Sequence, residues 1–563
     1  MIKENFTAVI CSLNSKYIHS SLAPWYLAAG VKQFCNNKIN TLISEGTINE
    51  KIEDIADRIL SQKPNAAGFC CYIWNITAVT RLIDIMKSKL PECSVILGGP
   101  EVSFNPEQVL AERPSADYII SGEGERSFAM LIDCLASGAD MRDIPGLCYR
   151  ENGKSVTVPG VIIKEDPPFP YSTDYFKTLN GRIAYIETSR GCPYSCAFCL
   201  SGRPGAVRFF DLEKSKENIV LLANSGTKTV KFVDRTFNAC GRRAKDIFRF
   251  IIDNYGRSIP YGVRFHFEIA GDILDDETIR LLKKAPAGLI QLEIGLQSLS
   301  KRTLESVNRK TDVDSLVKNI KKLTGPGNMH IHIDLIAGLP YEDMESLELS
   351  FNTAFELDAN VLQLGFLKLL HGSCMRENPE RYPCEYSKEP PYEVISTPWL
   401  TIEQVARLHH TEDALERVYN SGRFRRTIIY LLKQTGNSPF QLLSSFGAFC
   451  ADKNIDNISL DAYTELILEY FSGAGADRTA LRDALVCDRL STDRSGKLPA
   501  ALRIHDPALK AAVSRVEKIA PPKGARRSYA LLYSENCLVY VEYKDIDPVT
   551  KSFPLKKLGL DSL

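Results

Sequence analysis

Cys192, Cys196 and Cys199 fall in the stretch Gly191-Cys192-Pro193-Tyr194-Ser195-Cys196-Ala197-Phe198-Cys199, a C-x3-C-x2-C spacing within one short loop. Cysteine thiolates hold iron–sulfur clusters, and such close spacing brings three of them to one cluster. Three protein ligands on a four-iron cluster leave one iron open, and an open iron can bind a small molecule. A zinc knuckle or buried free thiols are the alternatives, but zinc usually takes four ligands. No nearby Cys or His completes such a set. The loop therefore predicts a [4Fe-4S] cluster with Cys192, Cys196 and Cys199 as its metal ligands.

A loop of this kind needs a rigid frame. From residue 182 apolar strands alternate with helical segments: RIAYIETS, TVKFVD (229–234), RFHFEIA (264–270), LIQLEIGL (289–296), HIHIDLIA (330–337) and VLQLGFLKL (361–369). Six βα units fit a partial (β/α)6 barrel. The cysteines follow its first strand. His330 and His332 share one face of the fifth strand, either the barrel interior or packing.

Residues 1–140 alternate in the same way, with strand candidates at 6–13, 39–46, 66–73, 94–100 and 117–122. Five strands separated by helices predict a flavodoxin-like, Rossmann-type parallel sheet that binds ligands at the carboxyl ends of its strands. Residues 141–180 are interrupted by Pro145, Pro159, Pro167, Pro168 and Pro170 and read as a linker. Residues 376–563 open with a proline- and charge-rich stretch, continue in helical patterns and end in a hairpin candidate at 528–545. The predicted fold class is α/β, with domains at 1–140, 181–375 (the barrel) and 376–563 (mostly α-helical).

The chain has 563 residues, more than the roughly 250–300 at which a single core stops growing. Lys+Arg (69) equals Asp+Glu (69), so net charge gives no reason to expect nucleic acid or a membrane surface. No basic segment followed by an apolar stretch opens the chain, and no run approaches the roughly 20 apolar residues of a membrane span. A cytoplasmic protein with reduced thiols is expected.

The cysteine motif, its place after the first strand of a partial barrel and Phe198 before the last cysteine resemble the radical S-adenosylmethionine (SAM) enzymes. The resemblance implies that the open iron chelates SAM, and that one electron cleaves SAM to a 5′-deoxyadenosyl radical. Further segments resemble the branch containing oxygen-independent coproporphyrinogen oxidase and the methylthiotransferases: Phe-His-Phe-Glu268, Gly295-Leu296-Gln297-Ser298, Val307-Asn308-Arg309 and Ile333-Asp334-Leu335-Ile336-Ala337-Gly338-Leu339-Pro340. By that resemblance Phe198 lies against the adenine, and Glu268, Gln297, Arg309 and Asp334 hold SAM. The second strand departs from the usual glycine-rich turn. It ends in Phe232-Val233-Asp234-Arg235-Thr236-Phe237, the form of the cobalamin-associated branch, and Asp234 is counted with the SAM residues.

A flavodoxin-like domain ahead of such a barrel resembles the cobalamin (B12)-binding radical SAM proteins, the class B cobalamin-dependent family. The cobalamin-binding residues implied are Asn14, Ser15, His19, Ser20, Ser21 and Leu22 after the first strand and Trp74 after the third. Gly98, Gly99, Pro100 and Glu101 after the fourth strand and Gly122, Glu123, Gly124 and Glu125 after the fifth complete the set. The D-x-H-x-x-G motif that supplies a histidine below cobalt elsewhere is absent, so no protein histidine is expected on the metal, and Trp74 is a candidate cover for its lower face.

The implied cofactors are a [4Fe-4S] cluster, SAM and cobalamin, with a one-electron reductant such as flavodoxin or ferredoxin and an anaerobic or well-reduced cytoplasm. The expected function is methylation of an unactivated carbon of an unknown substrate. The methyl passes from one SAM through methylcobalamin, while a second SAM yields the radical. The alternatives are a cobalamin-assisted cyclisation or rearrangement, radical modification of a tRNA base, and, in a different class, a non-catalytic cobalamin or redox sensor. For the tRNA alternative the sequence offers two basic runs: Arg417, Arg423, Arg425, Arg426 and Lys433, and Lys510, Arg515, Lys518, Lys523, Arg526 and Arg527. A small-molecule substrate is favoured over tRNA.

Overall fold

The computed structural model describes residues 6–203, 206–453, 455, 458–519 and 524–560. Packing divides the chain into two units. The first holds Met1–Ala270, Val307–Lys310 and Leu367–Ile395, and the second Gly271–Ser306, Thr311–Phe366 and Ser396–Leu563.

In the first unit, β1 (Phe6–Asn14), β2 (Ile39–Thr47), β3 (Ala66–Cys70), β4 (Ser94–Gly98) and β5 (Tyr118–Ile120) form a parallel sheet in the order β2-β1-β3-β4-β5. Successive side chains point to opposite faces of a strand, and both faces are covered. Val9, Cys11 and Leu13 pack with Ile55, Ile59 and Ile83 on one side, and Ala8 and Ile10 with Val31, Phe128 and Ile132 on the other. The strands accordingly read as continuous apolar runs.

This sheet does not stop at residue 140. The strands β6 (Leu147–Glu151) and β7 (Lys154–Thr157) extend it antiparallel beyond β5. Pro145 and Pro159 flank this hairpin rather than interrupt it. Its turn is Asn152-Gly153, with φ of 50° and 76°. Two central residues at positive φ are what a two-residue hairpin turn requires, and Asn-Gly is its strongest short-range signal.

The first unit continues with β8 (Ala184–Ile186), the short antiparallel pair β9 (Ser189–Arg190) and β10 (Arg208–Phe209), then β11 (Thr229–Phe232) and β12 (Arg264–Ile269). β8, β11 and β12 are parallel neighbours. In the second unit, β13 (Ile290–Gln297), β14 (His330–Ala337) and β15 (Val361–Phe366) are also parallel neighbours. The six strands and intervening helices follow the expected βα succession. Asp211, Asp275, Asp312 and Asp343 each cap a following helix by accepting a backbone N–H.

Residues beyond 400 form helices through Pro507–Ile519. The expected hairpin at the tail is a three-stranded antiparallel sheet, Arg527–Leu532, Cys537–Glu542 and Leu555–Gly559. Among the described residues no helix is long and apolar enough to cross a membrane.

Candidate active site

The cysteine loop leaves β9 through Gly191, at φ 95°, where an added Cβ would lie 2.3 Å from the Ala206 carbonyl oxygen. Glycine is therefore required at the loop's entry. Farther on, the Ala197 N–H donates to Val307 O at 2.8 Å and Ala197 O accepts from Met375 N–H at 3.0 Å. The Asn308 side chain donates to Ser195 O at 3.1 Å and to Ser195 Oγ at 2.6 Å. The backbone is thus pinned while the thiols keep only weak partners. Cys192 Sγ is 3.3 Å from Thr236 Oγ1, Cys199 Sγ accepts from Ser201 N–H at 3.4 Å, and Arg309 Nη1 lies 3.9 Å from Cys196 Sγ. Burial pushes the Cys196 thiol up, and the Arg309 guanidinium opposes that by favouring the thiolate.

Among the described residues, no three His, Cys, Asp or Glu side chains converge on a single ion position. A cubane does not ask for that, because each thiolate binds a different iron. Three thiols on one pinned loop, with a cation beside the buried one, have the donor chemistry of a cluster with three protein ligands.

The other residues expected to hold SAM divide. Phe198 and Arg309 belong to the cysteine loop and its support, Phe198 half-buried. Glu268, on β12, lies 3.8 Å from Lys231 Nζ and 4.0 Å from Arg235 Nη1, with its side chain one-quarter exposed. Asp234 is different. It is buried and accepts from Thr188 N–H at 3.0 Å, Thr188 Oγ at 2.7 Å and Ser189 Oγ at 2.5 Å. Burial raises its carboxyl to about 6. Asp234 thus ties β11 to the strand that leads into the cysteines, and these bonds occupy the carboxylate expected to face SAM. In the second unit Gln297 ends β13 at φ 67°, beside a register shift, with its side-chain oxygen buried and without a hydrogen bond. Asp334 lies on β14 with its carboxylate 3.1 Å from His332 Nε2. His330, His332 and Asp334 share the half-buried face of that strand, while Ile331, Ile333 and Leu335 fill the buried one.

At the carboxyl ends of the first sheet, Asn14 Nδ2 in the last residue of β1 and Ser121 Oγ after β5 are buried with no hydrogen-bond partner. A Cβ at Gly122 would meet nothing within 4 Å, and one at Gly98 only Ile120 O at 3.6 Å. Orphaned polar groups beside open backbone fit a polar cofactor there. Trp74 is 47% exposed and stacks on Tyr72 with ring centroids 4.4 Å apart, a flat apolar face next to β3. Ser15 and Leu22 are half-buried in the loop after β1, Gly99 and Pro100 follow β4, and Gly124 opens the helix after β5.

The charged and hydroxylic residues expected around cobalamin are largely engaged elsewhere. His19 Nδ1 is 2.7 Å from Tyr185 Oη, and Ser20 Oγ donates to Ile183 O at 2.7 Å. Ser21 Oγ accepts from Ser12 Oγ at 2.9 Å. Glu101 is buried and accepts from the Tyr392 hydroxyl. Glu123 and Glu125 bind Arg190 at 2.5 and 2.6 Å, Glu187 joins at 3.0 Å, and Arg208 adds a second bond to Glu123 at 2.7 Å. Arg190 immediately precedes Gly191-Cys192. This half-buried ion-pair hub therefore joins the loop after β5, and the first turn of the helix that follows it, to the root of the cysteine loop. Arg190, Glu187 and Tyr392 hold the loops expected to meet the cofactors, and the sequence reading missed them. The only signal for Arg190 is its adjacency to Gly191, because its partners on the loop after β5 lie 65 and 67 residues away.

The basic runs are also partly consumed. Arg417 pairs with Asp413, Arg425 donates to Ala359 O and Asn360 O, and Arg426 reaches Asp488 and Ser491. Arg526 donates to Ser495 O and Arg527 pairs with Glu542, while Lys523 lies outside the described residues. Cations held this way are poorly placed to track phosphates.

Residues 9–132 match the B12 binding domain, residues 186–354 the radical SAM superfamily, and residues 380–520 a protein family of unknown function (DUF4080). An uncharacterised methyltransferase of Pyrococcus horikoshii is 28% identical over 360 residues, covering 60% of this chain and 73% of that protein. The 2-(S-pantetheinyl)-carbapenam-3-carboxylate methyltransferase of Streptantibioticus cattleyicolor is 28% identical over 328 residues, covering 54% of this chain. The chain spans about half (47%) of that relative's length. The solved structure of the cobalamin-dependent SAM radical enzyme OxsB, with aqua-cobalamin and SAM bound, aligns at a TM-score of 0.55 and 15% identity, covering 85% of this chain and 78% of that one. At that identity the likeness shows the fold.

Proposed function

We propose that the chain, with its matches to the B12 binding domain and the radical SAM superfamily, is a B12-binding radical SAM enzyme that methylates an unactivated carbon of a small-molecule substrate. The observation that carries this reading is the pinned triple-cysteine loop in one chain with a B12-binding domain whose strand ends hold orphaned polar groups and open backbone. That two relatives are named methyltransferases supports methyl transfer in particular.

In this reading Cys192, Cys196 and Cys199 hold a [4Fe-4S] cluster. Phe198 offers a flat face to an adenine, and Arg309 and Glu268 supply the charge complement of an amino acid's carboxylate and ammonium. Arg309 serves twice, since its guanidinium also favours the Cys196 thiolate. Asp234 acts one step back, holding Thr188 and Ser189 and so the strand that delivers Cys192. Asn14, Ser121, Gly98 and Gly122 would hold cobalamin, with the exposed ring of Trp74 offering it a flat apolar face. When bound, the cluster and SAM supply one-electron radical chemistry and cobalamin carries the methyl group, while the chain supplies placement.

The test uses anaerobically purified protein with reconstituted iron and sulfide, cobalamin, titanium(III) citrate, SAM and cell extract as the substrate source. Methylation consumes one SAM as methyl donor and a second as radical source. S-adenosylhomocysteine and 5′-deoxyadenosine should therefore both accumulate, the former only with cobalamin present. 5′-Deoxyadenosine without S-adenosylhomocysteine would point instead to cyclisation or rearrangement, and neither product would overturn the enzyme reading.

A further inference from the structure

The segment Leu367–Ile395, which follows the last barrel strand and runs into the region matching the family of unknown function, packs within the first unit. Its two ends are laced together: Leu369 N–H donates to Tyr392 O at 3.0 Å and Val394 N–H to Leu367 O at 2.9 Å. Arg376 stiffens the closed strap. Its Nη1 donates to Leu369 O at 2.6 Å, and its guanidinium lies 4.6 Å from the Tyr392 ring centre and 5.5 Å from that of Tyr386.

The strap touches two loops far apart in sequence. On one side are residues 99–105, after β4. Tyr392 donates its hydroxyl to buried Glu101, and Gly372, at φ 84°, sits so close to Phe104 that an added Cβ would lie 2.1 Å from the ring. On the other side is the cysteine loop. Met375 N–H donates to Ala197 O at 3.0 Å, between Cys196 and Cys199, and Glu377 pairs with Arg203. Arg203 closes the circuit, with its guanidinium 5.2 Å from the centre of the Phe104 ring.

We propose that Gly372, Arg376 and Tyr392 are positioning residues of a clamp that holds the loop after β4 and the cysteine loop in one fixed arrangement. The strap that leads into the region of unknown function is thus a structural brace for both cofactor loops. The inference rests on the reading of those loops as the cobalamin and cluster loops, but its mechanical part can be tested without either cofactor. A brace that touches both loops transmits a disturbance from one to the other. Tyr392→Phe removes only the hydroxyl bound to Glu101, and Gly372→Ala drives a methyl group against Phe104.

The experiment is hydrogen exchange on full-length, metal-free protein, followed by cobalamin titration and electron paramagnetic resonance of the reduced, reconstituted cluster. Loss of one hydrogen bond to a charged group changes an opening equilibrium by about tenfold or more. Both variants should therefore speed exchange about tenfold in residues 99–105 and also in residues 195–203, which neither substitution touches. Tyr392→Phe should in addition shift the resonance of the cluster, a readout that simple loss of stability would not move. If exchange in 195–203 and the cluster resonance both stay as in the parent, the clamp is overturned. Should Gly372→Ala fail to fold, Tyr392→Phe alone decides. Uptake of neither iron nor cobalamin by the parent would sink the cofactor reading, while the exchange data would still judge the clamp.

Discussion

The cysteine loop and the loop after β5 were both expected to bind cofactors, and the structure treats them in opposite ways. In the first, Cys192, Cys196 and Cys199 have only weak partners at 3.3 to 3.9 Å, while the backbone around them is firmly pinned. In the second, Glu123 and Glu125 are committed to Arg190 through bonds of 2.5 and 2.6 Å. Side chains that must meet a ligand are left underused, and side chains that join parts of the protein are saturated. A charged residue at a strand end is therefore weak evidence for ligand binding until its partners are known.

This contrast can be broken at either loop. The largest effect is expected for Cys196→Ser, which removes one of the three proposed donors to the cluster. Iron content should collapse and 5′-deoxyadenosine formation should fall to background, with the fold intact by circular dichroism. Next is Arg190→Ala. It leaves buried Glu125 and half-buried Glu187 without their cation, a loss between the roughly 1 kcal/mol of an exposed pair and the about 3–5 kcal/mol of a fully buried one. Urea denaturation should register that loss, and Arg190→Lys should recover only part of it, since an ammonium does not match the fork of a guanidinium.

A third substitution lies outside both loops and calibrates the cost of burying a carboxylate. Glu342, in the second unit, is buried, bonded by Ser298 at 2.5 Å, and raised from 4.5 to about 7 by desolvation. The folded protein then keeps a proton that the unfolded chain has lost. Stability present below about pH 4.5 is progressively lost as pH rises to about 7, a span worth roughly 3 kcal/mol. Glu342→Gln should flatten this slope in denaturation curves taken between pH 5 and pH 8, bracketing about 7. The smallest effect separates docking from ligation directly. Glu123→Gln should change the cobalamin dissociation constant by less than about twofold, because weakening its two partly exposed pairs, with Arg190 and Arg208, costs about 1 kcal/mol or less each and falls on the joint rather than on the ligand. A tenfold weakening would return Glu123 to the cofactor.

The frame was legible because it is written in local patterns. The apolar runs of β1 to β5 and the alternation in β14 declare their strands, and the cysteines declare their chemistry in eight residues. The hairpin at Asn152-Gly153 was equally legible and was obscured by the prolines on either side. What sequence did not disclose is pairing across long separations: Arg190 with Glu123, Tyr392 with Glu101, Asp234 with Thr188. Such partners are chosen by the folded chain, and each lone carboxylate looks alike in sequence whether it meets a ligand or a guanidinium.

The central claim, a cluster held by three cysteines with one iron left for SAM, is tested most directly by Mössbauer spectroscopy of anaerobic protein enriched in the Mössbauer-active iron isotope, before and after SAM is added. The account predicts a four-iron cluster in which one iron alone changes its signal with SAM. Zinc in the loop, or a cluster whose irons all ignore SAM, would contradict it.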